Sequence, residues 1–202
     1  MQSVRTRIRA AVLVLVLSAA APYQARAEGK ADLSRISIEN FGQISDVYYR
    51  GAQPKGDDYR DLASIGVKTV IDLSNDQKEE GQLAQAAGLK FFRIPLTTTS
   101  APPSAAVVQF LKLVNDPANQ PVYVHCQGGR HRTGIMTAVY RMTHDHWTPD
   151  RAFAEMVQYQ FTKGFVSHNT LKEFVYDFAT RMTNPAAAHA SAIGQEGTDR
   201  RR

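Results

Sequence analysis

Short apolar runs rich in β-branched residues mark the candidate strands of this chain. The clearest lies at 67–73, and such a run is typical of a strand buried on both faces of a sheet. The same pattern predicts further strands at 47–50, 90–94 and 121–125. A turn at 51–54, with the sequence Gly-Ala-Gln-Pro, ends the first of these strands.

Segments with a helical repeat of apolar residues separate and follow these strands. Over 104–115, apolar side chains recur every three or four positions and would cover one face of a helix. Five further helices are predicted at 57–65, from 74–76 to 87, at 132–144, at 149–159 and at 169–181. Strands that alternate with helices indicate an α/β fold, with a mostly parallel central sheet of about four to five strands flanked by helices on both faces.

The N-terminal segment has the pattern of an export signal. Three arginines precede an apolar run at 10–17, and an A-x-A cleavage pattern ends at Ala27. We therefore interpret 1–27 as a signal peptide, which predicts an exported protein, periplasmic or secreted, that begins at Glu28 and is not inserted in the membrane. An uncleaved membrane anchor is the alternative, although the apolar run is short for a membrane span.

The charge and composition of the chain exclude several classes of protein. With 202 residues, of which 43% are hydrophobic, the chain suits one globular domain, predicted at 28–184, rather than a disordered or collagen-like protein. The net charge of +5 comes from the signal segment and from a charged segment at 185–202, predicted to be a disordered tail. Since 28–184 has equal numbers of acidic and basic side chains, we expect no nucleic-acid partner.

The segment HCQGGRHRTG, at 125–134, joins a predicted strand to a predicted helix. A loop in this position can turn its backbone N–H groups toward an anion, and the dipole of the following helix favours negative charge there. Glycines allow the backbone to approach a ligand closely, and Arg132 can offer a planar fork to two phosphate oxygens. The predicted phosphate-binding residues are Gln127, Gly128, Gly129, Arg130, His131 and Arg132.

Cys126, the only cysteine of the chain, lies at the base of this predicted loop. The donors that would hold a phosphate also stabilise a thiolate, which makes Cys126 a candidate nucleophile for a phosphocysteine intermediate. We expect Thr133 to assist hydrolysis of that intermediate and His125 to support the loop. Two alternatives stay open: a buried structural cysteine, and a module that binds a phosphorylated ligand without turnover.

The motif HC-x5-R-T-G resembles the signature of the cysteine-based protein tyrosine phosphatase superfamily, in its compact dual-specificity branch. The segment 49–54, Tyr-Arg-Gly-Ala-Gln-Pro, is similar to an element of bacterial, plant and fungal members, as are residues within 138–141 and 155–156. The resemblance covers about residues 40–180. It implies a parallel α/β fold, no metal and no organic cofactor. The substrate that we expect is a phosphoprotein, an inositol phosphate or a phosphoinositide.

The chain departs from that superfamily in its candidate general acid. The family usually supplies an aspartic acid from a loop before the motif, whereas the corresponding loop here, 95–103, contains no carboxylate. His131 is the provisional acid, because an imidazolium can donate a proton near neutral pH. Asp72, Asp76 and Glu79 are weaker candidates, and Asp72 is better interpreted as a carboxylate that caps the following loop.

The missing carboxylate bears on the predicted substrate. A phenol, with a pKa of about 10, leaves far more readily than an alkyl alcohol, so aryl phosphates and phosphoanhydrides are favoured. Arg130 and His131 would give the entrance a positive charge that suits a polyanionic substrate. The sequence therefore predicts a phosphatase of the phosphotyrosine or dual-specificity type, with an inositol-phosphate, phosphoinositide or phosphoanhydride phosphatase of the same fold as the alternative.

Overall fold

A five-stranded sheet forms the centre of the structure, a computed structural model that describes residues 32–74, 79–163 and 168–183. The strands are β1 (Gly42–Ser45), β2 (Tyr48–Gly51), β3 (Thr69–Asp72), β4 (Lys90–Arg93) and β5 (Val122–His125). Their order across the sheet is β1-β2-β5-β3-β4. The pair β1–β2 is antiparallel and the other pairs are parallel, which confirms the predicted α/β fold. The short edge strand β1 was not predicted.

Six α-helices follow the predicted order along the described residues. They are α1 (Asp58–Ser64), α2 (Glu80–Ala86), α3 (Ser104–Val114), α4 (His131–His144), α5 (Pro149–Gln158) and α6 (His168–Thr183). Helix α2 begins at Glu80 rather than at the predicted 74–76, with 75–78 outside the described residues, and Ser74 donates its backbone N–H to Asp72 Oδ1 at 2.7 Å. None of the helices within the described residues has the length and apolar character needed to cross a membrane.

Two apolar clusters cover the two faces of the sheet. Successive side chains of a strand point to opposite faces, so Tyr48 belongs to one cluster and Tyr49 to the other. The first cluster packs under α3, α4, α5 and α6, and the second under α1 and α2. Helix α4 is buried along most of its length, which fixes its N-terminus against the sheet.

The register of the sheet aligns the C-terminal ends of β2, β3 and β5. Gly51 of β2 and Asp72 of β3 both lie opposite His125 of β5. Because the carboxyl ends of parallel strands form the edge where α/β proteins bind ligands, the residue after His125 enters the region where a site is expected.

The chain divides into two units, Met1–Lys30 and Ala31–Arg202, and the described residues all lie in the second. The predicted signal peptide at 1–27, the predicted tail at 185–202 and Asp76 lie outside the described residues. Those boundaries therefore stay predictions.

Candidate active site

The loop 126–130 connects the end of β5 to the first turn of α4. Cys126 begins it and is 3% exposed, while Arg132 in the first turn of α4 is 7% exposed. Helix α4 begins one residue earlier than predicted, with Arg130 at its N-cap position and with neither a side-chain cap nor an acidic residue in its first turn. Its N-terminal N–H groups are therefore free of the usual side-chain acceptors and can bind an anion.

Gly129 is required by the path of this loop. Its φ is +63°, in the left-handed region, and an added Cβ would lie 2.5 Å from the carbonyl oxygen of Gly51 and 2.6 Å from the backbone nitrogen of Ala52. At Gly128, by contrast, the nearest atom to an added Cβ would be Nη1 of the flexible Arg130 side chain, at 3.2 Å. The loop thus packs directly on the backbone that follows β2.

Hydrogen bonds from the segment around β2 hold the loop in place. The Gly129 carbonyl accepts from Asn40 Nδ2 at 2.9 Å and from the Arg50 guanidinium. The backbone N–H of Gln53 donates to the carbonyl of Gln127 at 3.3 Å. Asn40 and Arg50 are residues that our sequence analysis did not assign to the site, although Arg50 lies within the Tyr-Arg-Gly-Ala-Gln-Pro element.

His125 is fully buried and directed at carboxylates rather than at the loop entrance. Its Nε2 lies 2.8 Å from Glu80 Oε1, and its Nδ1 lies 4.0 Å from Asp72 Oδ1. The same Glu80 oxygen accepts from the Tyr59 hydroxyl at 3.1 Å. The ring of Tyr123 stacks on the imidazole, with ring centroids 5.7 Å apart. Glu80 is thus another buried residue that the sequence did not single out.

Asp72, Glu80 and His125 bring potential metal-ligand atoms within 4.8 Å of one another. Both carboxylates already face a cation, since Arg93 Nε lies 2.7 Å from Asp72 Oδ2 and Arg93 Nη2 lies 3.7 Å from Glu80 Oε2. A metal ion would have to compete with this guanidinium. Asp72 accepts hydrogen bonds from Ser74 and from Arg93, which agrees with the interpretation of Asp72 as a carboxylate that caps the following loop.

The loop after β4, which lacks a carboxylate, reaches the side chain of Arg132. The Leu96 carbonyl accepts a hydrogen bond from Arg132 Nη1 at 3.4 Å. His131 is partly buried, and the edge of its ring meets Phe161 with centroids 5.5 Å apart. Glu79 is exposed.

The positive charge at the entrance is smaller than the sequence suggested. Arg130 forms an ion pair with Glu39, whose side chain is 58% exposed. The charge of Arg130 is therefore partly neutralised by Glu39, whereas no ion pair is formed by Arg132 within the described residues.

Comparison with known proteins places these features in a family. Residues 28–173 match the family model described as DSP-PTPase phosphatase fused to NAD+ kinase. The chain is 27% identical over 135 residues to the inositol diphosphatase SIW14 of Saccharomyces cerevisiae, covering 63% of this chain and 48% of that protein. It is 26% identical over 149 residues to the inositol diphosphatase DSP5 of Arabidopsis thaliana, covering 71% of each.

Solved structures share the fold. The core catalytic domain of the PP-IP phosphatase SIW14 from S. cerevisiae, in complex with citrate, superposes with a TM-score of 0.59 at 24% identity. The match covers 68% of this chain and 84% of that domain. The present chain spans about half the length of the full yeast protein.

Proposed function

Because the chain belongs to the DSP-PTPase phosphatase family, we propose that it is a cysteine-dependent phosphatase with Cys126 as its nucleophile. The observation that carries this proposal is the position of Cys126. It is buried at the end of a central strand, directly before a loop that leads into the uncapped N-terminus of α4 and the guanidinium of Arg132. Oriented N–H donors and an arginine fork around a thiolate are the requirements for phosphoryl transfer to sulfur.

In the first step, the Cys126 thiolate attacks phosphorus and forms a sulfur–phosphorus bond. The bond between phosphorus and the leaving oxygen breaks, and that oxygen departs with the bonding electron pair and takes up a proton. The backbone N–H groups of 127–132 and the Arg132 fork bind the three equatorial oxygens, whose negative charge they stabilise. Gln127, Gly128, Gly129, Arg130 and His131 contribute through this backbone.

In the second step, water attacks phosphorus and the sulfur–phosphorus bond breaks, which releases inorganic phosphate and restores the thiolate. The Thr133 hydroxyl supports this step by donating to the departing sulfur. Its Oγ1 is fully buried and has no hydrogen-bond partner within 32–74, 79–163 and 168–183, so it is available to the sulfur. A negative charge that forms on a buried sulfur is stabilised by such a donor.

The proton for the leaving group comes from His131. This residue is a titratable side chain in the first turn of α4, directly after the loop 126–130, and the loop at 95–103 offers no carboxylate. His125 has a positioning role, because its buried ring nitrogens face Asp72 and Glu80. We therefore assign the acid to His131 and the support of the loop to His125.

The substrates we propose carry good leaving groups. Aryl esters such as phosphotyrosine and phosphoanhydrides need less protonation of the leaving oxygen than phosphoserine does. The names of the yeast and Arabidopsis relatives, both inositol diphosphatases, favour an inositol phosphate with a diphosphate group as the second candidate. The export pattern at 1–27 supports a periplasmic or secreted location, which cell fractionation of the native host would test.

Phosphate release from four substrates tests this proposal. The purified protein and Cys126→Ser are compared on p-nitrophenyl phosphate, a phosphotyrosine peptide, a phosphoserine peptide and an inositol pyrophosphate. We expect Cys126→Ser to be inactive, and the phosphoserine peptide to be hydrolysed by the wild type on the order of 100-fold more slowly than the aryl phosphate. Equal inactivity of both proteins on all four substrates would refute the phosphatase, and rapid hydrolysis of phosphoserine would refute the preference for good leaving groups.

A further inference from the structure

Arg50 is a fully buried cation that the proposed reaction does not use. It lies in β2 with 0% of its surface exposed, and its Nη2 donates to the carbonyl of Gly129. The guanidinium carbon lies 4.0 Å from the centre of the Tyr159 ring. Its Nε and Nη1 are buried and have no hydrogen-bond partner among the residues that the structure describes.

In the described part of the chain, Arg50 also lacks a carboxylate partner, unlike three other arginines. Arg93, Arg130 and Arg141 each form ion pairs with acidic side chains. A guanidinium removed from water without an anion carries a large desolvation cost, and burial lowers the pKa of Arg50 accordingly. We therefore expect a negative charge to form near Arg50 at some stage of the reaction.

Arg50 lies opposite Val124 in the ladder between β2 and β5, two positions before Cys126, and the ionisable groups around it narrow the choice of that charge. They are Tyr48, Tyr159, Cys126 and Glu155. Burial raises the pKa of both tyrosines, which keeps their hydroxyls neutral. Glu155 is held by Arg141, with Oε1 2.7 Å from Nη2. Cys126 is the one group in this set that gains a negative charge in the reaction.

We infer that Arg50, which donates to the Gly129 carbonyl of the loop, is the charge partner of the Cys126 thiolate and of the phosphoryl group that it takes up. Arg132 approaches the loop from α4 and bonds to the segment after β4, whereas Arg50 approaches from β2 on the other side of β5. The two guanidiniums thus act from opposite sides of the central strand. Arg50 is a positioning residue, and this inference rests on the proposed function because it takes Cys126 as the nucleophile.

A purely structural role would need only the hydrogen bond from Arg50 to Gly129. Three variants separate the charge from the hydrogen bond. Arg50→Lys keeps a positive charge, and Arg50→Gln keeps a donor without charge. Asn40→Gly removes a neutral donor to the same Gly129 carbonyl, and glycine suits this position because Asn40 has a φ of +57°.

The test measures the thiolate of Cys126 without any substrate. The full chain and the three variants are alkylated with iodoacetamide at pH 6, and the ultraviolet absorbance of the thiolate is recorded beside the alkylation rate. Because the thiolate is the reactive form, we expect Arg50→Gln to lose about tenfold or more in rate and Arg50→Lys to stay within about threefold of the wild type, while Asn40→Gly, which loses only a neutral bond to the loop, should lose less than Arg50→Gln. Equal rates for Arg50→Gln and the wild type, or an equally slow Arg50→Lys, would overturn the inference.

Circular dichroism and thermal melting verify that each variant folds. If Arg50→Gln does not fold, Arg50→Lys decides: a folded lysine variant that keeps the thiolate absorbance supports the inference, and one that loses it overturns the inference. A wild type with a reactive Cys126 that releases no phosphate would refute the proposed function and leave the charge pairing standing. The two failures are therefore distinguishable.

Discussion

His125 Nε2 lies 2.8 Å from Glu80 Oε1, and both side chains are buried at the carboxyl end of the sheet. His125 is the last residue of β5 and directly precedes Cys126. The contact therefore connects the first turn of α2 to the residue directly before the phosphate loop, across a separation of 45 positions in the chain.

We expect Glu80→Ala to lower both stability and turnover. The change leaves the buried hydroxyl of Tyr59 without its acceptor and removes the carboxylate that faces the imidazole of His125, and an unsatisfied buried polar group costs roughly 1–3 kcal/mol. Urea unfolding and kcat measure the two effects. Glu79→Ala is the matched control, because Glu79 is the exposed neighbour of Glu80. Equal stability of the two variants would show that the buried contact contributes little.

Gly129→Ala should inactivate the enzyme while Gly128→Ala is tolerated. A methyl group at Gly129 meets the backbone of Gly51 and Ala52 and adopts a disfavoured φ, whereas one at Gly128 meets only the end of a flexible arginine. Displaced N–H donors cost on the order of 100-fold in kcat. Steady-state kinetics on an aryl phosphate measures the difference, and similar losses at the two glycines would contradict the loop packing described above.

Replacement of His131 should change the dependence of the rate on the leaving group. A general acid is worth most when the leaving oxygen is most basic, so His131→Gln should slow alkyl phosphates on the order of 100-fold and aryl phosphates far less. A series of phosphate esters with graded leaving-group pKa values measures this. Arg130→Gln, at the adjacent position, should leave the slope unchanged. An unchanged slope for His131→Gln would remove His131 from the role of acid.

Peroxide should inactivate the protein reversibly. An activated thiolate is oxidised to a sulfenic acid, and the chain has no second cysteine with which to form an internal disulfide. Activity lost to a short peroxide treatment should return, at least in part, with a thiol reductant. Full activity after the treatment would argue against an accessible, reactive Cys126.

The sequence predicted which helices and strands form better than it predicted the residues at which they begin and end. Apolar runs and helical repeats placed four of the strands and all six helices, because buried faces impose those patterns. Strand β1 is only four residues long and pairs at the antiparallel edge, where half-buried positions give a weak pattern. The start of α2 was placed too early because Ser74 is a residue type that often caps helices, whereas α2 begins at Glu80 and Ser74 bonds to Asp72.

The sequence predicted those residues of the candidate site that are adjacent in the chain, but not those that are distant in the chain. The residues of 125–133 are contiguous, so a motif contains them. Asn40, Arg50 and Glu80 reach the loop or His125 from other elements, with separations of 89 and 79 positions for the two donors to Gly129. Only the packing of the sheet brings them together. Arg50, an arginine within an apolar strand, was nevertheless a signal in the sequence that could have indicated a functional residue.

Detection of a phosphoryl group on Cys126 tests the central proposal most directly. The wild type is mixed with an excess of aryl phosphate, quenched in acid within milliseconds, digested, and analysed by mass spectrometry of the peptide that contains Cys126. We expect one added phosphoryl group on that peptide, none in Cys126→Ser, and an increased amount in Thr133→Ala, whose second step should be slower. Phosphate release by Cys126→Ser at the wild-type rate, with no modified peptide in either protein, would contradict the mechanism.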